Sequence, residues 1–467
     1  MASLTRKIAH IFTGDILSRA ISFLITVYLA RVLGTEGFGL LSIAMAYLGY
    51  LVFFADFGLS NIAGREVARD EEKRSYRISE LLALRILMAT IVLVIGWFAI
   101  PFIIDDSQLL SLTRGFILAL IPHAFLVEWY FIGSQKYQVN ALSHVLKNGV
   151  YLILIYLFVD SLDDVNQLPV YYISGLIVST IILFILFLKN RPFQLAVRGF
   201  HILWDGLKAA LTVGSGTFFA QVIQLFPPIA IGYFLTNSDA GEYSAAYRII
   251  IIGMLIDRIF VQLLIPNLSK QWSDNSEVAT INMDHTMRLM LVLGSMVSIG
   301  LFLGAPDFMI WVFGSEYVNS IPILYILSFF LFFTFQNSLF SHGLIAIGKD
   351  IDYLKATAIG GGIALIIIAV AASQFGVRAV AGAVVLSEFL IGALSYFWFS
   401  RHMSLRYLIP FVLTILASFV AYKLMDIVQL YYWLEAIIGA LLVLMMLLFG
   451  RVIRKKDIAM FRTKLGI

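Results

Sequence analysis

The tripeptide Asp56-Phe57-Gly58 has the sequence of the metal-binding triplet of protein kinases, and it opens a charged stretch, DFGLSNIAGREVARDEEKR. In a kinase this triplet acts with an upstream H-R-D-x-x-x-x-N loop and with a lysine on an earlier strand. The sequence before Asp56 contains neither of them, and residues 37–55 are nineteen uncharged, mostly apolar residues. The triplet therefore does not indicate phosphoryl transfer.

Four arginines lie inside long apolar segments, where a charge needs an explanation. A charged side chain near the centre of a bilayer costs about 2.5–3.5 kcal/mol on insertion scales. Because the guanidinium group is suited to bidentate binding of phosphate, we expect these arginines to face a solvated interior and to contact an anionic substrate. Snorkelling, or pairing with an acid inside the protein, is the alternative. The predicted substrate contacts are Arg19, Arg85, Arg248 and Arg258.

Four carboxylates also lie inside long apolar segments and are candidates for energy coupling. No nucleotide-binding motif of the G-x-x-x-x-G-K-[ST] type occurs, so directed transport has to use an ion gradient, a membrane potential or the consumption of product. Intramembrane carboxylates are the usual carriers of protons or Na⁺. For the two near helix ends, Glu128 and Asp257, structural pairing is the favoured alternative. The candidates are Asp15, Glu128, Asp257 and Glu388.

Asp15 and Arg19 are four residues apart, so they share one helix face and can pair. A substrate anion that binds Arg19 would compete with Asp15 for the guanidinium group and would free the carboxylate to take a proton or a cation. Binding and protonation would then be linked through one arginine. The alternative is that Asp15 only neutralises Arg19 in a closed pair.

Other chemistry is absent from the sequence. There is no cysteine, and the seven histidines form no H-E-x-x-H motif or cluster with metal-ligand spacing. No extramembrane stretch exceeds about thirty residues, which is too short for a soluble domain. We therefore expect no enzyme activity, no metal, no cofactor and no nucleic-acid partner.

The composition indicates that most of the chain lies in a lipid bilayer. The 467 residues are 60% apolar and 13% charged, with a mean hydropathy of +0.91, against roughly 45–50% apolar and 25% charged residues in soluble domains. The apolar runs are continuous, so they predict helices rather than barrel strands. About fourteen spans are predicted, at 11–33, 37–57, 80–104, 112–132, 142–159, 170–188, 209–235, 243–265, 286–305, 321–347, 355–373, 378–399, 408–425 and 431–450.

Loop charge predicts the orientation, because Lys and Arg are concentrated on the cytoplasmic side of membrane proteins. Alternate loops divide the charge: 24 of the 33 basic residues fall on one side and four on the other. Both termini are therefore predicted to be cytoplasmic. In this topology Asp56 ends the second span, Gly58 lets the chain turn, and Arg65 and Glu66 lie in a charged interfacial helix. Basic residues there can contact anionic lipid head groups.

An internal repeat predicts two lobes. Residues 12–44 align with residues 214–246 without a gap and with six identities, among them Gly39 with Gly241. Parallel repeats of this kind are a transporter architecture. The Pro227-Pro228 pair is predicted to interrupt the seventh span and is a candidate hinge. The predicted domains are an N-lobe at 1–190, a cytoplasmic linker at 191–208, a C-lobe at 209–400, and two added helices with a basic tail at 401–467.

Three segments resemble one protein family: LARVLGTEGFG at 29–39, DFGL followed by REVARD at 56–70, and RIFVQLLIPNLS at 258–269. They are similar to Wzx-type oligosaccharide-lipid flippases of the multidrug/oligosaccharidyl-lipid/polysaccharide exporter (MOP) superfamily. The resemblance implies an all-α integral membrane protein with two pseudo-symmetric six-helix lobes of the MATE-like fold, here with two additional C-terminal helices. It implies alternating access, with a cationic cavity that holds a diphosphate.

The same resemblance implies the substrate and the setting. The substrate would be a polyprenyl-diphosphate-linked oligosaccharide repeat unit, a precursor of O-antigen, capsule or exopolysaccharide, in the cytoplasmic (inner) membrane. A glycan polymerase and other polysaccharide-assembly proteins are candidate partners. Two alternatives remain open: a cation-coupled multidrug antiporter of the same fold, and a membrane-embedded glycan polymerase or transferase. Short outside loops argue against the last.

Overall fold

The computed structural model describes residues 2–69, 75–190, 218–219, 221–428, 430–450 and 452. Every regular element in this part of the chain is helical. A bilayer offers no water to backbone N–H and C=O groups, and a helix satisfies them within one segment. The structure therefore has the predicted all-helical class.

The described helices follow one another with short connections. They are α1 Ala2–Asp56, α2 Leu59–Arg69, α3 Ser75–Ala99, α4 Ser107–Ile117, α5 Leu120–Ala124, α6 Glu128–Gly133, α7 Tyr137–Phe158, α8 Leu168–Asn190, α9 Gln221–Phe234, α10 Asn237–Asp274, α11 Ser276–Leu303, α12 Ala305–Phe313, α13 Ser320–Ala346, α14 Asp350–Gln374, α15 Val377–Phe399, α16 Leu408–Val428 and α17 Tyr432–Phe449. Two short 3₁₀ segments follow α3 and α7, and a third follows α12.

Ten helices of the described chain are long and apolar enough to cross a membrane. The first two predicted spans form the single helix α1, which has 55 residues and a non-helical backbone at Gly34 (φ 65°, ψ −173°). At about 1.5 Å per residue, α1 is more than twice as long as a hydrocarbon core is thick. Gly34 lies where the two predicted spans were separated, so α1 has the length and the break expected of two passes.

The fourth predicted span, 112–132, is wrong as a continuous helix. The chain forms three short helices there, α4, α5 and α6. Pro122 lies inside α5 and cannot donate a backbone hydrogen bond, and the backbone leaves the helical region at Phe125 (ψ 0°) and Val127 (ψ 37°). Pro122 marks this irregularity in the sequence, whereas hydropathy does not detect it, because residues 124–127 are all apolar.

The Pro227-Pro228 pair does not interrupt its helix. Helix α9 runs from Gln221 through both prolines to Phe234, and both proline side chains are buried. The predicted interruption is therefore wrong within the described part of this span. A bend that forms only when the protein moves stays a prediction.

The chain divides into two compact units. Unit 1 comprises Met1–Gln221 and Thr236–Gly241, and unit 2 comprises Val222–Leu235 and Glu242–Ile467. In unit 1, α1 packs on α3, α4 and α7, and α7 packs on α8. The predicted linker at 191–208 lies outside the described residues, so the predicted lobe boundaries stay predictions.

In unit 2, α13 packs on α11 and α15, and α15 packs on α14. The two additional helices predicted at the C-terminal end, α16 and α17, are part of this unit. They pack on α11 through an apolar core, which includes Ile299 and Leu303 of α11, Ala421 and Met425 of α16, and Val443 of α17. Burial of this apolar surface holds α16 and α17 to the unit.

Two repeat-related glycines meet in unit 1 at a backbone-to-backbone contact. A Cβ atom on Gly39 would lie 1.7 Å from the carbonyl oxygen of Asn237, and one on Gly241 would lie 1.9 Å from that of Thr35. Beside them, the Thr35 and Ser238 hydroxyls are 2.7 Å apart. No side chain fits between these backbones, which explains the two glycines at equivalent repeat positions.

An aspartate next to this contact lies outside the spanning segments. Asp106 begins α4 and accepts hydrogen bonds from the backbone N–H groups of Gln108 (2.8 Å) and Leu109 (3.1 Å) and from the Asn237 amide (3.0 Å). Desolvation acts to raise the pKa of Asp106, but these hydrogen bonds outweigh it and lower the pKa. The carboxylate therefore stays charged at neutral pH and can hold Asn237 in place.

We expect Gly39→Ala and Gly241→Ala each to lower the thermal unfolding temperature of the detergent-purified protein, because the new methyl group has to displace backbone. Gly149→Ala is the matched control, since a Cβ at this position in α7 meets no atom within 4 Å. The control is expected to be neutral or slightly stabilising, as a helical Gly→Ala change is worth about 0.5–1 kcal/mol. Equal unfolding temperatures for the three variants would contradict the close contact.

Candidate functional site

Arg85 is the central charge of unit 1, and it is bound by the protein itself. Its Nε atom is 3.5 Å from Asp56 Oδ1, and its side chain is 11% exposed. Its Nη1 atom donates to the Leu126 carbonyl oxygen at 2.5 Å. Asp56 also accepts a hydrogen bond from the Ser60 hydroxyl. The aspartate of the DFG triplet therefore joins the end of α1, the start of α2 and the middle of α3.

Three carbonyl groups at the break between α5 and α7 receive side-chain hydrogen bonds. The Thr180 hydroxyl donates to Pro122 O at 3.3 Å, and the Asn140 amide donates to Glu128 O at 3.0 Å. Arg85 supplies the third bond, to Leu126 O. Irregular backbone at membrane depth persists where the protein satisfies it, and these donors do so.

Glu128 lies at the start of α6, close to a second titratable group. Its Oε1 atom is 3.6 Å from His144 Nε2, and the two side chains are 25% and 39% exposed. The structure thus places Glu128, one of the two coupling candidates in the first lobe, beside a histidine on α7. Glu128 and Arg85 both line a crevice of about 410 Å³, together with Arg65 of α2.

The turn after Asp56 has the backbone that its glycine predicts. Phe57 and Gly58 have positive φ angles of 34° and 89°, a region that glycine enters without strain. Within α2 the Arg65 side chain is exposed, whereas Glu66 is buried and only 6% exposed. Helix α2, which contains the residues of the predicted interfacial helix, begins at Leu59, and the structure describes it to Arg69.

Asp257 is a buried carboxylate of unit 2. It lies on α10 and is 4% exposed. Its Oδ2 atom accepts a hydrogen bond from the Ser338 hydroxyl of α13 at 2.7 Å. Its Oδ1 atom is buried and has no hydrogen-bond partner within the described residues. An uncompensated carboxylate oxygen in the interior is costly, so this oxygen is suited to a proton or a cation.

Glu388 is the second buried carboxylate of unit 2, on α15, and it is 6% exposed. Its Oε1 atom accepts a hydrogen bond from the Asn337 amide at 2.9 Å. Asn337 in turn accepts from the Ser341 hydroxyl at 2.6 Å. Glu388 also interacts electrostatically with Asp257. The neighbouring residues Asn337 and Ser338 of α13 thus connect two coupling candidates that come from different helices.

The other three predicted arginines lie on α1 and α10. Arg19 is partly buried in unit 1; Arg248 is partly buried and Arg258 exposed, both on α10. Arg258 interacts electrostatically with Asp257. The side chain of Asp15 lies outside the described residues, so its pair with Arg19 stays a prediction. A common substrate site for the four arginines also stays a prediction.

Sequence reasoning missed several polar residues inside the spans. Asn337, Ser338 and Ser341 lie in an apolar segment, and their spacing along one helical face was the available signal. Arg288 was also missed: it is 6% exposed, and its Nε atom is 3.0 Å from Asp284 on the same helix. Arg288 donates a hydrogen bond to the Val452 carbonyl oxygen at 3.2 Å. This bond connects α11 with Val452, which follows α17.

No group of three or more His, Cys, Asp or Glu side chains with the geometry of a metal site occurs in the described part of the chain. The unit 2 cluster offers two carboxylates plus amide and hydroxyl oxygens. Hard oxygen ligands of this kind suit protons and alkali cations better than transition metals.

Comparisons with known proteins agree with this membrane architecture. Residues 4–272 match the family model described as polysaccharide biosynthesis protein. The chain is 23% identical over 410 residues to the probable low-salt glycan biosynthesis flippase Agl15 of Haloferax volcanii, covering 86% of this chain and 85% of that protein. It is 22% identical over 306 residues to the putative O-antigen transporter of Escherichia coli K12, covering 64% and 73%.

Solved structures share the fold. The lipid II flippase MurJ in an inward closed conformation matches with a TM-score of 0.78 and 14% identity, covering 94% of this chain and 98% of that chain. An inward-facing multidrug resistance MATE transporter of the MOP superfamily matches with a TM-score of 0.67 and 14% identity, covering 82% and 94%. The predicted MOP fold is confirmed.

We expect Arg85→Gln to destabilise the protein strongly, since it leaves both Asp56 and the Leu126 carbonyl group without their donor. Removing one partner of a buried ion pair costs about 3–5 kcal/mol. Because Asp56 is partly exposed, we expect the loss of stability here to be about 3 kcal/mol or less. Asp56→Asn/Arg85→Gln should lose less than the sum of the two single variants. Thermal unfolding in detergent measures all three, with exposed Arg401→Gln as control. Additive losses would show that the two side chains do not interact.

Proposed function

Because the chain belongs to the polysaccharide biosynthesis protein family, we propose that it is a flippase for polyprenyl-diphosphate-linked oligosaccharide repeat units. Such units are precursors of O-antigen, capsule or exopolysaccharide. The observation that carries the proposal is the MurJ fold over 94% of the chain, together with relatives named as a glycan flippase and an O-antigen transporter. The chain would act by transport and not by catalysis of a reaction.

The proposed mechanism is alternating access between two lobes. We infer fourteen spans, with both termini on the cytoplasmic side of the cytoplasmic membrane. Arg19 and Arg248 are the proposed contacts of the diphosphate, with Arg258 in support, because a guanidinium group can bind a phosphate with two charge-assisted hydrogen bonds. Arg85 has a different proposed function: its bonds to Asp56 and Leu126 make it a positioning residue.

Energy coupling is proposed for the buried pair Asp257 and Glu388. The unpartnered Oδ1 atom of Asp257 supports this proposal most directly. Uptake of a proton or Na⁺ would neutralise one carboxylate and remove its electrostatic repulsion with the other. The hydrogen bonds between the two carboxylates and α13 would then change. Asp15, through its competition with substrate for Arg19, is the second proposed coupling residue, and Glu128 beside His144 is the third.

A cation-coupled multidrug antiporter is the alternative, since a MATE transporter shares the fold. Fold does not determine function, so the charge of the substrate path discriminates between the two. Drug cations require acidic contacts, whereas a diphosphate requires basic ones. A membrane-embedded glycan polymerase or transferase is disfavoured because the loops between the described helices are short.

We expect the Arg19→Ala/Arg248→Ala double variant to abolish surface polysaccharide in cells that lack the chromosomal copy. The amount of the variant in the membrane is measured in the same cells and is expected to match that of the wild type. Arg401→Ala, an exposed arginine, is the matched control and should restore display fully. Full glycan display by the double variant would refute the assignment of these arginines.

Asp257→Asn and Glu388→Gln are expected to remove the dependence of transport on an imposed pH gradient in proteoliposomes, because each removes one titrating carboxylate. Asp163→Asn, an exposed residue outside the spans, is the control and should keep the dependence. Asp15→Asn tests the other coupling residue in the same assay. If Asp15→Asn alone loses the dependence, coupling lies at the Asp15–Arg19 pair and the unit 2 proposal is wrong.

A further inference from the structure

The crevice of unit 1 is a second polar site. Of its lining residues, the transport mechanism above uses Arg85 for positioning and Glu128 as a coupling candidate, and it gives no function to Asn61, Arg65, Gln135 or Tyr137. It has a volume of about 410 Å³ and is bounded by α2, by the break before α6 and by the start of α7. Helices α2 and α6 touch through their backbones below it, since a Cβ atom on Gly133 would lie 2.5 Å from the Gly64 carbonyl oxygen. This close contact fixes the two walls of the crevice relative to each other.

Among the described residues that line the crevice, Arg65 is the one cation without an ion pair. Arg85 is bound to Asp56 and to the Leu126 carbonyl oxygen. Glu128 faces His144 at 3.6 Å. Arg65 lies on the exposed side of α2 and forms no ion pair within the described residues. A guanidinium group that lines a crevice and forms no ion pair with a described residue is suited to an anion.

Uncharged donors line the same crevice as Arg65. Asn61 of α2 and Gln135, in the turn before α7, present side-chain amides, and Tyr137 presents a phenol hydroxyl. Gln135 has a left-handed backbone (φ 57°), and strain of about 1–3 kcal/mol at such a position is found at ligand-binding sites. Amide, hydroxyl and guanidinium donors together match the oxygens of a phosphodiester and of an adjoining polyol.

One edge of the crevice is apolar and open. Ile132 lines it and is 49% exposed, and Tyr137 is 39% exposed. Phe125, which precedes the lining residue Leu126, is 37% exposed. Exposed apolar side chains beside a cationic polar cavity are the arrangement that an amphiphile requires, with its head group inside and its chains along the apolar edge.

We propose that this crevice binds the phosphodiester head group of an anionic membrane lipid, with Arg65 as the charged contact and Asn61, Gln135 and Tyr137 as hydrogen-bond donors. The bound lipid would bridge α2 to α6 and α7, and would stabilise the broken helix next to the Arg85 ion pair. The proposal does not depend on the transported substrate, because the crevice would bind lipid in any transporter with these residues.

The test measures lipid binding to the detergent-purified full-length protein by thermal unfolding and by native mass spectrometry. The probes are phosphatidylglycerol, phosphatidylcholine and inorganic phosphate. We expect phosphatidylglycerol alone to raise the unfolding temperature and to remain bound. Arg65→Gln should weaken its binding about fivefold, which corresponds to about 1 kcal/mol for one arginine near a membrane surface. Arg401→Gln, an exposed arginine of unit 2, should bind as the wild type does.

A second variant, Asn61→Asp, places a negative charge in the crevice and should weaken phosphatidylglycerol binding as well, which guards against a folding defect of Arg65→Gln. Equal stabilisation by phosphatidylcholine would overturn the proposal, because it shows a nonspecific lipid effect. Equal stabilisation by inorganic phosphate would identify a site for a free anion in place of a lipid. An equal loss of phosphatidylglycerol binding in Arg65→Gln and Arg401→Gln would also overturn the proposal. It would show that the position of the arginine on the surface does not matter.

Discussion

The hydrogen bond from Arg85 to the Leu126 carbonyl group, reinforced by the ion pair with Asp56, is the interaction on which the architecture of unit 1 depends. In lipid, a backbone carbonyl group without a donor costs several kcal/mol. The chain can break the helix between α5 and α6 only because side chains from α3, α7 and α8 supply donors. That break forms one wall of the crevice and sets Glu128 opposite His144. The same arginine holds the turn that begins α2.

Unit 2 also contains buried charged groups, and these are carboxylates. Asp257 and Glu388 are both buried, and each accepts a hydrogen bond from one of two adjacent residues of α13, Ser338 and Asn337. This compensation is incomplete, because one oxygen of Asp257 has no donor within the described residues. Arg85 is bound by Asp56 and by the Leu126 carbonyl group and is therefore suited to hold structure. Asp257 has a carboxylate oxygen without a donor among the described residues and is therefore suited to exchange a proton or an ion.

Much of the fold could be predicted from the sequence, because lipid restricts the choice of structure. Apolar runs gave helices close to the predicted ranges, and the charged residues inside them were identified individually. The partners of those charges could not be predicted, since Ser338 is 81 residues from Asp257 and Asn337 is 51 residues from Glu388. Pro122 marks an irregularity within 112–132, but the donors that stabilise the broken backbone lie on other helices and could not be predicted for the same reason. Arg288 was missed because it lies near the start of the predicted span 286–305, whereas α11 begins ten residues earlier, at Ser276.

The most direct test of the flippase assignment is transport by the purified wild-type protein in proteoliposomes. A polyprenyl-diphosphate-linked oligosaccharide is incorporated, and the fraction accessible to an externally added, membrane-impermeant glycosidase is followed with time. The account predicts that vesicles with the protein equilibrate the substrate between leaflets, while protein-free vesicles and vesicles with the Arg19→Ala/Arg248→Ala variant keep half of it protected. Protection that is the same in all three preparations would contradict the account.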